Sequence, residues 1–327
     1  GLLRFRARWF PEFGWGDPQL RRVFRLMLPR LAGLGVSSIN LIVMTNLASR
    51  LGEGAVAAVD WGYRLMQIPQ TLIGTAMGIV IFPTLSALSE VNDMRGKRNA
   101  MSGALRFILI ATIPSAIGLV LIGQPLLSLL EGGAFDTSAT NLVYGMVRAF
   151  SLGIIVQSIL EVIARSFYAD KDTVTPLWAA IAGAALNVVL AYTLTGVAFG
   201  TGDVNRVDGI GWANSFGVAL EVVILIVLLR RRWGSIDENS LAMTSAKTLL
   251  ASLVMGLAVI GVEMGFNLLG LSGGTVMTIA QIGVQIAVGG VVFLIATLLL
   301  RMNEILDIIQ IALNRVRSDD ADTLQTV

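Results

Sequence analysis

Eight stretches of this chain are long and apolar enough to cross a lipid bilayer, and their number limits the fold more than any motif does. They run over approximately 23–48, 55–85, 103–130, 139–168, 175–198, 208–230, 243–269 and 274–299. A helix needs roughly 20 apolar residues to span a hydrocarbon core of about 30 Å. Of the 327 residues, 55% are hydrophobic and 14% charged, with a mean hydropathy of +0.76. Ordinary soluble domains are about 25% charged. A chain this apolar could not keep a water-facing surface, and lipid is the solvent that suits it. The expected fold is all-α: a polytopic membrane bundle of about eight transmembrane helices.

The charges fall in a pattern that supports this division. Arg4, Arg6, Arg8, Arg21, Arg22 and Arg25 precede the first span. Arg95, Lys97, Arg98 and Arg106 lie between the second and third. Arg165 and Lys171 lie near the fourth-to-fifth connection, and Arg230, Arg231, Arg232 and Lys247 near the sixth-to-seventh. Arg301, Arg315 and Arg317 follow the last span. The alternate loops hold Arg50 and Arg206, and the loop near Gly270 has no positive charge. Every second loop is basic, so the positive-inside rule places both termini in the cytoplasm. Residues 1–22 mix Trp9, Phe10, Trp15 and arginines. This suits a cytoplasmic juxtamembrane segment, and equally a loop of a longer protein. The stretch has no short apolar core with a cleavage site, so it does not resemble a signal peptide. The tail from Ser318 to Val327 is polar and acidic, which is the composition of disorder.

The chain has no cysteine and no histidine. Disulfides, thiol nucleophiles, imidazole bases and the usual zinc ligands are thereby excluded. The carboxylates are scattered, and there is no GxxxxGK[ST] loop to cradle a nucleotide phosphate. The sequence therefore argues against an enzyme and calls for no cofactor and no nucleic acid.

Polar residues inside a span are costly and are functional candidates by default. The second span carries the sharpest set: Asp60, Arg64, Gln67, Thr71 and Thr75. Their spacing places them on one helix face at about 100° per residue, and Gly74 and Gly78 fall on the same face by that count. Pro69 interrupts the helix and leaves a backbone carbonyl without its partner, which is tolerated where helices line a cavity. One reading is a wet cationic wall for an anionic substrate, since the planar guanidinium of Arg64 can bind two phosphate oxygens at once. The other is a self-neutralising Asp60–Arg64 pair near the outer interface. In the fourth span, Glu161 and Arg165 have the spacing of a self-contained ion pair. Asn40 and Asn46 in the first span, Asn187 in the fifth, and Asn214 and Glu221 in the sixth suit hydrogen bonding between helices. Glu263, Gln281 and Gln285 give a weaker signal.

Several stretches in order resemble the MurJ/MviN family of lipid II flippases. They are Leu26-Met27-Leu28-Pro29, Ala48-Ser49-Arg50-Leu51-Gly52-Glu53-Gly54, and Tyr63-Arg64-Leu65-Met66-Gln67-Ile68-Pro69. Phe82-Pro83-Thr84-Leu85-Ser86 and Gly132-Gly133-Ala134-Phe135 follow. Phe167-Tyr168-Ala169, with Asp172-Thr173 and Thr175-Pro176, is the strongest signature. Together these cover roughly residues 18–190, and the last spans match by hydropathy and count.

The resemblance implies a fourteen-helix protein of the MATE-like exporter superfamily. Two six-helix lobes enclose its central cavity, and two extra helices form a groove for the lipid tail. This chain would supply a cytoplasmic segment at 1–22, the C-terminal six-helix lobe at 23–230, a cytoplasmic loop at 231–242, the two additional helices at 243–299 and a cytoplasmic tail at 300–327. The N-terminal lobe is its expected partner, together with membrane lipids. The implied function is translocation of lipid II, an undecaprenyl-diphosphate-linked peptidoglycan precursor, across the bacterial cytoplasmic membrane by alternating access. Arg64 maps onto the family's cationic site, with Asp60, Gln67 and Thr71 as its neighbours. Some family members bind sodium through acidic residues. The matching positions here are Met44 and Ala191, so the resemblance implies no sodium site in this chain. A lysine common in the family is Glu161 here, and a commonly acidic neighbour of the motif arginine is Tyr63. Export of another polyprenyl-linked oligosaccharide or a drug, or a scaffolding role in a cell-wall complex, are the competing readings.

Overall fold

The computed structural model of the chain describes residues 18–133, 135–270 and 274–302. Most of the expected juxtamembrane segment and the tail from residue 303 lie outside the described residues. Among these residues the chain forms eight long helices: α1 (Pro18–Ser49), α2 (Ala55–Glu90), α3 (Met94–Ser128), α4 (Thr137–Ala169), α5 (Val174–Leu194), α6 (Asp208–Trp233), α7 (Glu238–Leu268) and α8 (Thr275–Leu299). All eight are long and apolar enough to cross a membrane. The chain is a polytopic helical membrane protein.

The helices depart from the expected spans mainly where polar residues extend an apolar run. Helix α3 starts at Met94 rather than near 103, because the Asp93 side chain accepts the Gly96 amide at 2.9 Å and caps it. Helix α6 runs on to Trp233, since Arg230, Arg231 and Arg232 sit at its C-terminal, partially negative end. The loop expected over 231–242 is therefore shortened to residues 234–237. Helix α5 stops at Leu194, before a left-handed Gly196.

Helix α4 is the centre of the bundle and packs against α2, α3 and α6. Helices α5 and α6 form the most extensive pair, and α1 leans on α5 while barely touching α2. Helices α7 and α8 pair with each other and dock on α3. The core has two halves. Leu47, Met66, Met146, Phe150 and Ile210 fill one, and Leu85, Met101, Ile108, Phe167 and Trp233 fill the other.

Helix α2 carries a π turn at Thr71–Thr75, two residues after Pro69. A π turn inserts one extra residue and delays the helix by roughly 100°. The buried positions show the effect. Gly62, Met66 and Gln70 face α4 before the turn, and Gly74, Gly78, Ile81 and Leu85 face inward after it. Gly74 and Gly78 therefore do not share the face of Asp60, Arg64, Gln67 and Thr71, as uninterrupted α spacing led us to expect. The extra residue turns them onto the buried side. There they let two backbones meet: a Cβ on Gly74 would lie 2.6 Å from the Ser158 Cα, and one on Gly62 would lie 2.5 Å from the Met146 Cβ. Gly183 of α5 and Gly217 of α6 meet in the same way, each facing the other's carbonyl oxygen.

At the basic end of the bundle, Asp170 ties four helices together. It accepts hydrogen bonds from Lys97 and Ser89, and from the Trp233 indole at 3.1 Å. Lys97 is buried and stacks over the Trp233 ring, 4.6 Å from its centroid. Next to this cluster, Arg232 pairs with Asp172 at 2.6 Å and covers Phe167. The loops predicted to be basic thus meet at one end of the molecule.

Two predictions follow from this packing. Gly74→Ala forces a methyl group against the α4 backbone and should cost about 1–3 kcal/mol, whereas Gly118→Ala, with nothing within 4 Å of its added carbon, should be near neutral. Thermal melting in detergent reads both. The second concerns acid. Burial alone would raise the Asp170 carboxyl, but the hydrogen bonds from Lys97, Ser89 and Trp233 and the Lys97 charge outweigh it and hold the group below its ordinary 3.8. A depressed carboxyl adds stability that is complete above its unfolded value and lost as pH falls through the folded one. The melting temperature should therefore drop below about pH 4, and more steeply for the parent chain than for Asp170→Asn.

Candidate functional site

Helices α1, α2, α4, α5 and α6 surround a cavity of about 850 Å³. It exists because α1 and α2 diverge while both remain attached to the rest of the bundle. Its polar wall is built from single residues on separate helices. The Asn187 amide donates to the Asn40 side-chain oxygen at 3.1 Å, and the Gln157 amide donates to that of Asn214 at 3.2 Å. Glu221 reaches the cavity from α6, where it lies beside Gly183. The charged residues in the lining are Asp60, Glu161 and Glu221, all carboxylates. Glu161 is held by Arg165 at 3.0 Å, the expected ion pair one turn along α4.

The expected site residues divide between this cavity and the outer surface. Asp60 lines the cavity mouth and accepts a hydrogen bond from Arg64 Nε at 2.8 Å. Arg64, Gln67 and Thr71 do not line the cavity. They are exposed on the outer face of α2, with the Arg64 side chain 67% and the Asp60 side chain 56% accessible. Arg64 and Asp60 are thus bonded to each other, one turn apart, and both side chains remain exposed. Thr75 turns partly inward and lies 3.5 Å from the buried Gln70 amide. Gln157 was not singled out in the sequence, because an isolated glutamine carries no sign of which neighbour it will meet.

One of the two positions that the resemblance associates with sodium lines this cavity. Met44 is in the lining, Ala191 is buried one turn beyond Asn187 on α5, and the Asn187 amide lies 3.7 Å from the Met44 sulfur. The side-chain oxygen of Asn187 is buried and accepts no hydrogen bond among the described residues. Sodium is a hard cation and needs several oxygen ligands. A thioether and a methyl group at two of the positions do not fit it.

Comparison with known proteins gives one consistent answer. The family model described as lipid II flippase MurJ matches residues 1–281. The probable lipid II flippase MurJ of Rhizobium tropici is 30% identical over 293 residues, covering 89% of this chain and 53% of that protein. Its counterpart in Haemophilus influenzae is 30% identical over 260 residues, covering 76% and 49%. A solved lipid II flippase MurJ in an inward closed conformation aligns with a TM-score of 0.67 at 23% identity, over 92% of this chain and 58% of that one. An outward-facing multidrug resistance MATE family transporter aligns at 0.55 and 16% identity, over 84% and 64%. At these identities the structures speak for the fold alone. The chain spans about half the length of the curated relatives it matches. The chain belongs to the lipid II flippase MurJ family, whose members are membrane transporters.

The cavity chemistry generates a prediction about ions. Sodium should raise the melting temperature of this chain no more than potassium at equal ionic strength. Met44→Asp combined with Ala191→Asp adds carboxylate oxygens beside Asn187 and should create a sodium-dependent shift. A sodium-specific shift in the parent chain that is lost in Asn187→Ala would contradict the assignment.

Proposed function

We propose that this member of the family forms one wall of a flippase that moves lipid II across the bacterial cytoplasmic membrane. In this reading, residues 23–230 are the second six-helix lobe and 243–299 add two helices outside it, with the basic end of the bundle in the cytoplasm. The observation that supports it most directly is the exposed polar face of α2. Asp60, Arg64, Gln67 and Thr71 lie open on a membrane-spanning helix. Such residues are expensive against lipid and belong against protein or a water-filled passage. A second lobe facing α2 provides both.

Electrostatics supports that face as the seat of the substrate phosphate. A diphosphate is repelled by an interior whose charged lining is carboxylate. On the α2 surface it meets the planar fork of Arg64, which suits two phosphate oxygens. Asp60 already holds Arg64 Nε, so it orients the guanidinium and also offsets its charge. One arginine so neutralised does not balance a diphosphate, and the remaining cations come from the facing lobe. Alternating access then consists of two bundles rocking about a shared site. The reading includes no catalytic step, and this chain by itself does not flip lipid.

The test uses the chain joined to its preceding lobe. Arg64→Ala should abolish appearance of labelled lipid II in the opposite leaflet while leaving the protein inserted. Arg64→Lys should keep partial activity, because a point charge replaces a bidentate fork. Normal flipping by Arg64→Ala would remove Arg64 from the site. Flipping by the isolated 327-residue chain at the rate of the two-lobe protein would overturn the two-lobe reading.

A further inference from the structure

A second pocket lies at the basic end of the bundle, away from the cavity described above. It occupies about 260 Å³ between the first turns of α3 and the linker that joins α6 to α7. That is below the roughly 300–1,000 Å³ of sites that take drug-sized ligands. Three guanidinium groups line it, from Arg95, Arg98 and Arg106, with Asn99, Ser102 and Ser235 adding neutral polar groups. One carboxylate is present, that of Asp237.

The three arginines are held differently. Arg106 is braced, with Nη2 lying 3.1 Å from Asp237 Oδ2 and 2.9 Å from Ser102 Oγ. Arg95 and Arg98 take part in no ion pair among the described residues. The Arg98 Nε is buried and has no hydrogen-bond partner among the described residues. An unsatisfied buried donor costs about 1–3 kcal/mol and calls for an explanation. The side chain lies against the linker backbone: an added Cβ on Gly234, whose φ is 81°, would make ordinary van der Waals contact with Arg98 Cζ at 3.7 Å.

The location narrows the ligand. After Arg106, α3 carries no charged residue through to its end at Ser128, so the pocket sits where the apolar span begins. Met243 and Leu250 on neighbouring α7 are exposed and apolar. A ligand with a phosphate at the pocket and hydrocarbon beside it matches both features. Basic pockets between helices at the cytoplasmic surface are suited to anionic headgroups.

We propose that Arg95, Arg98 and Arg106 form a binding site for the phosphate of an anionic lipid headgroup in the adjacent leaflet, separate from the transport cavity. The phosphate satisfies Arg98 Nε and balances the surplus of positive charge that Asp237 leaves. This site depends on membrane insertion alone and stands or falls apart from the flippase reading.

The test reconstitutes the 327-residue chain in vesicles of equal phosphatidylglycerol and phosphatidylcholine. The chain is re-extracted in mild detergent, and its retained lipid is identified by native mass spectrometry. The parent chain should retain phosphatidylglycerol preferentially. Arg95→Gln with Arg98→Gln should reduce that preference about tenfold or more, as expected for the loss of two interfacial arginines. Asp237→Asn removes the competing carboxylate and should increase retention, a gain that misfolding cannot mimic. Arg231→Gln, an exposed arginine at the same end but outside the pocket, should change little. A loss with Arg231→Gln equal to that of the pocket variant would reduce the effect to general surface charge and overturn the site. Equal retention of the two lipids by the parent chain would also overturn it. So would displacement of phosphatidylglycerol by millimolar inorganic phosphate, which would assign the pocket to a soluble anion.

Discussion

The contact between α2 and α4 governs the rest of the bundle. Lipid tails are as apolar as leucine, so helices in a membrane gain little from hiding hydrophobic surface from water and depend on close packing instead. Here α4 is the helix that most others touch, and α2 reaches it through Gly62, Gly74 and Gly78. The π turn keeps all three in line with α4 along a helix of 36 residues. With α2 held by its small-residue edge, its polar edge must face outward. The openness of Arg64 and the burial of Gly74 are two results of one packing arrangement.

The bundle consequently separates its charges. Carboxylates line the internal cavity, a single ion pair marks the outer face of α2, and arginines gather at one end. Asp170 and Asp172 each accept a cation from another helix and fix the helix ends at that basic face. The cation-rich surface is therefore rigidly attached to the bundle, while the internal cavity keeps amides on facing helices that hydrogen-bond to one another in pairs.

Much of this was legible in the sequence, for identifiable reasons. Apolar run length is a one-dimensional quantity, so the eight helices could be counted directly. The Glu161–Arg165 and Asp60–Arg64 pairs are local, and i,i+4 spacing is enough to find them. The ordered motifs from Leu26 to Pro176 carried the family. The failures have a common origin in three-dimensional or backbone-level information. No residue type announces a π turn, so Gly74 and Gly78 were assigned to the wrong face. Gln157 and Asn214 meet only after two helices cross. Arg95, Arg98 and Arg106 looked like topology signals, and only the folded linker at Ser235–Asp237 brings them around a common space.

The π turn has one more consequence, which concerns residue counting. The stretch Ala55–Glu90 holds one residue more than an unbroken α-helix needs to present the same inward face at both ends. Removing one residue from Thr71–Thr75 would let the segment relax to regular α geometry with both halves facing as before, because the deletion takes out the same roughly 100° that the π turn absorbs. Ile81 and Leu85 would then stay in the core, whereas unbroken α geometry over all 36 residues would turn them out of it. The π turn is thus what lets this helix carry an extra residue and keep one inward face. In an alignment of relatives, a one-residue gap here marks a helix without the π turn whose two halves keep their faces.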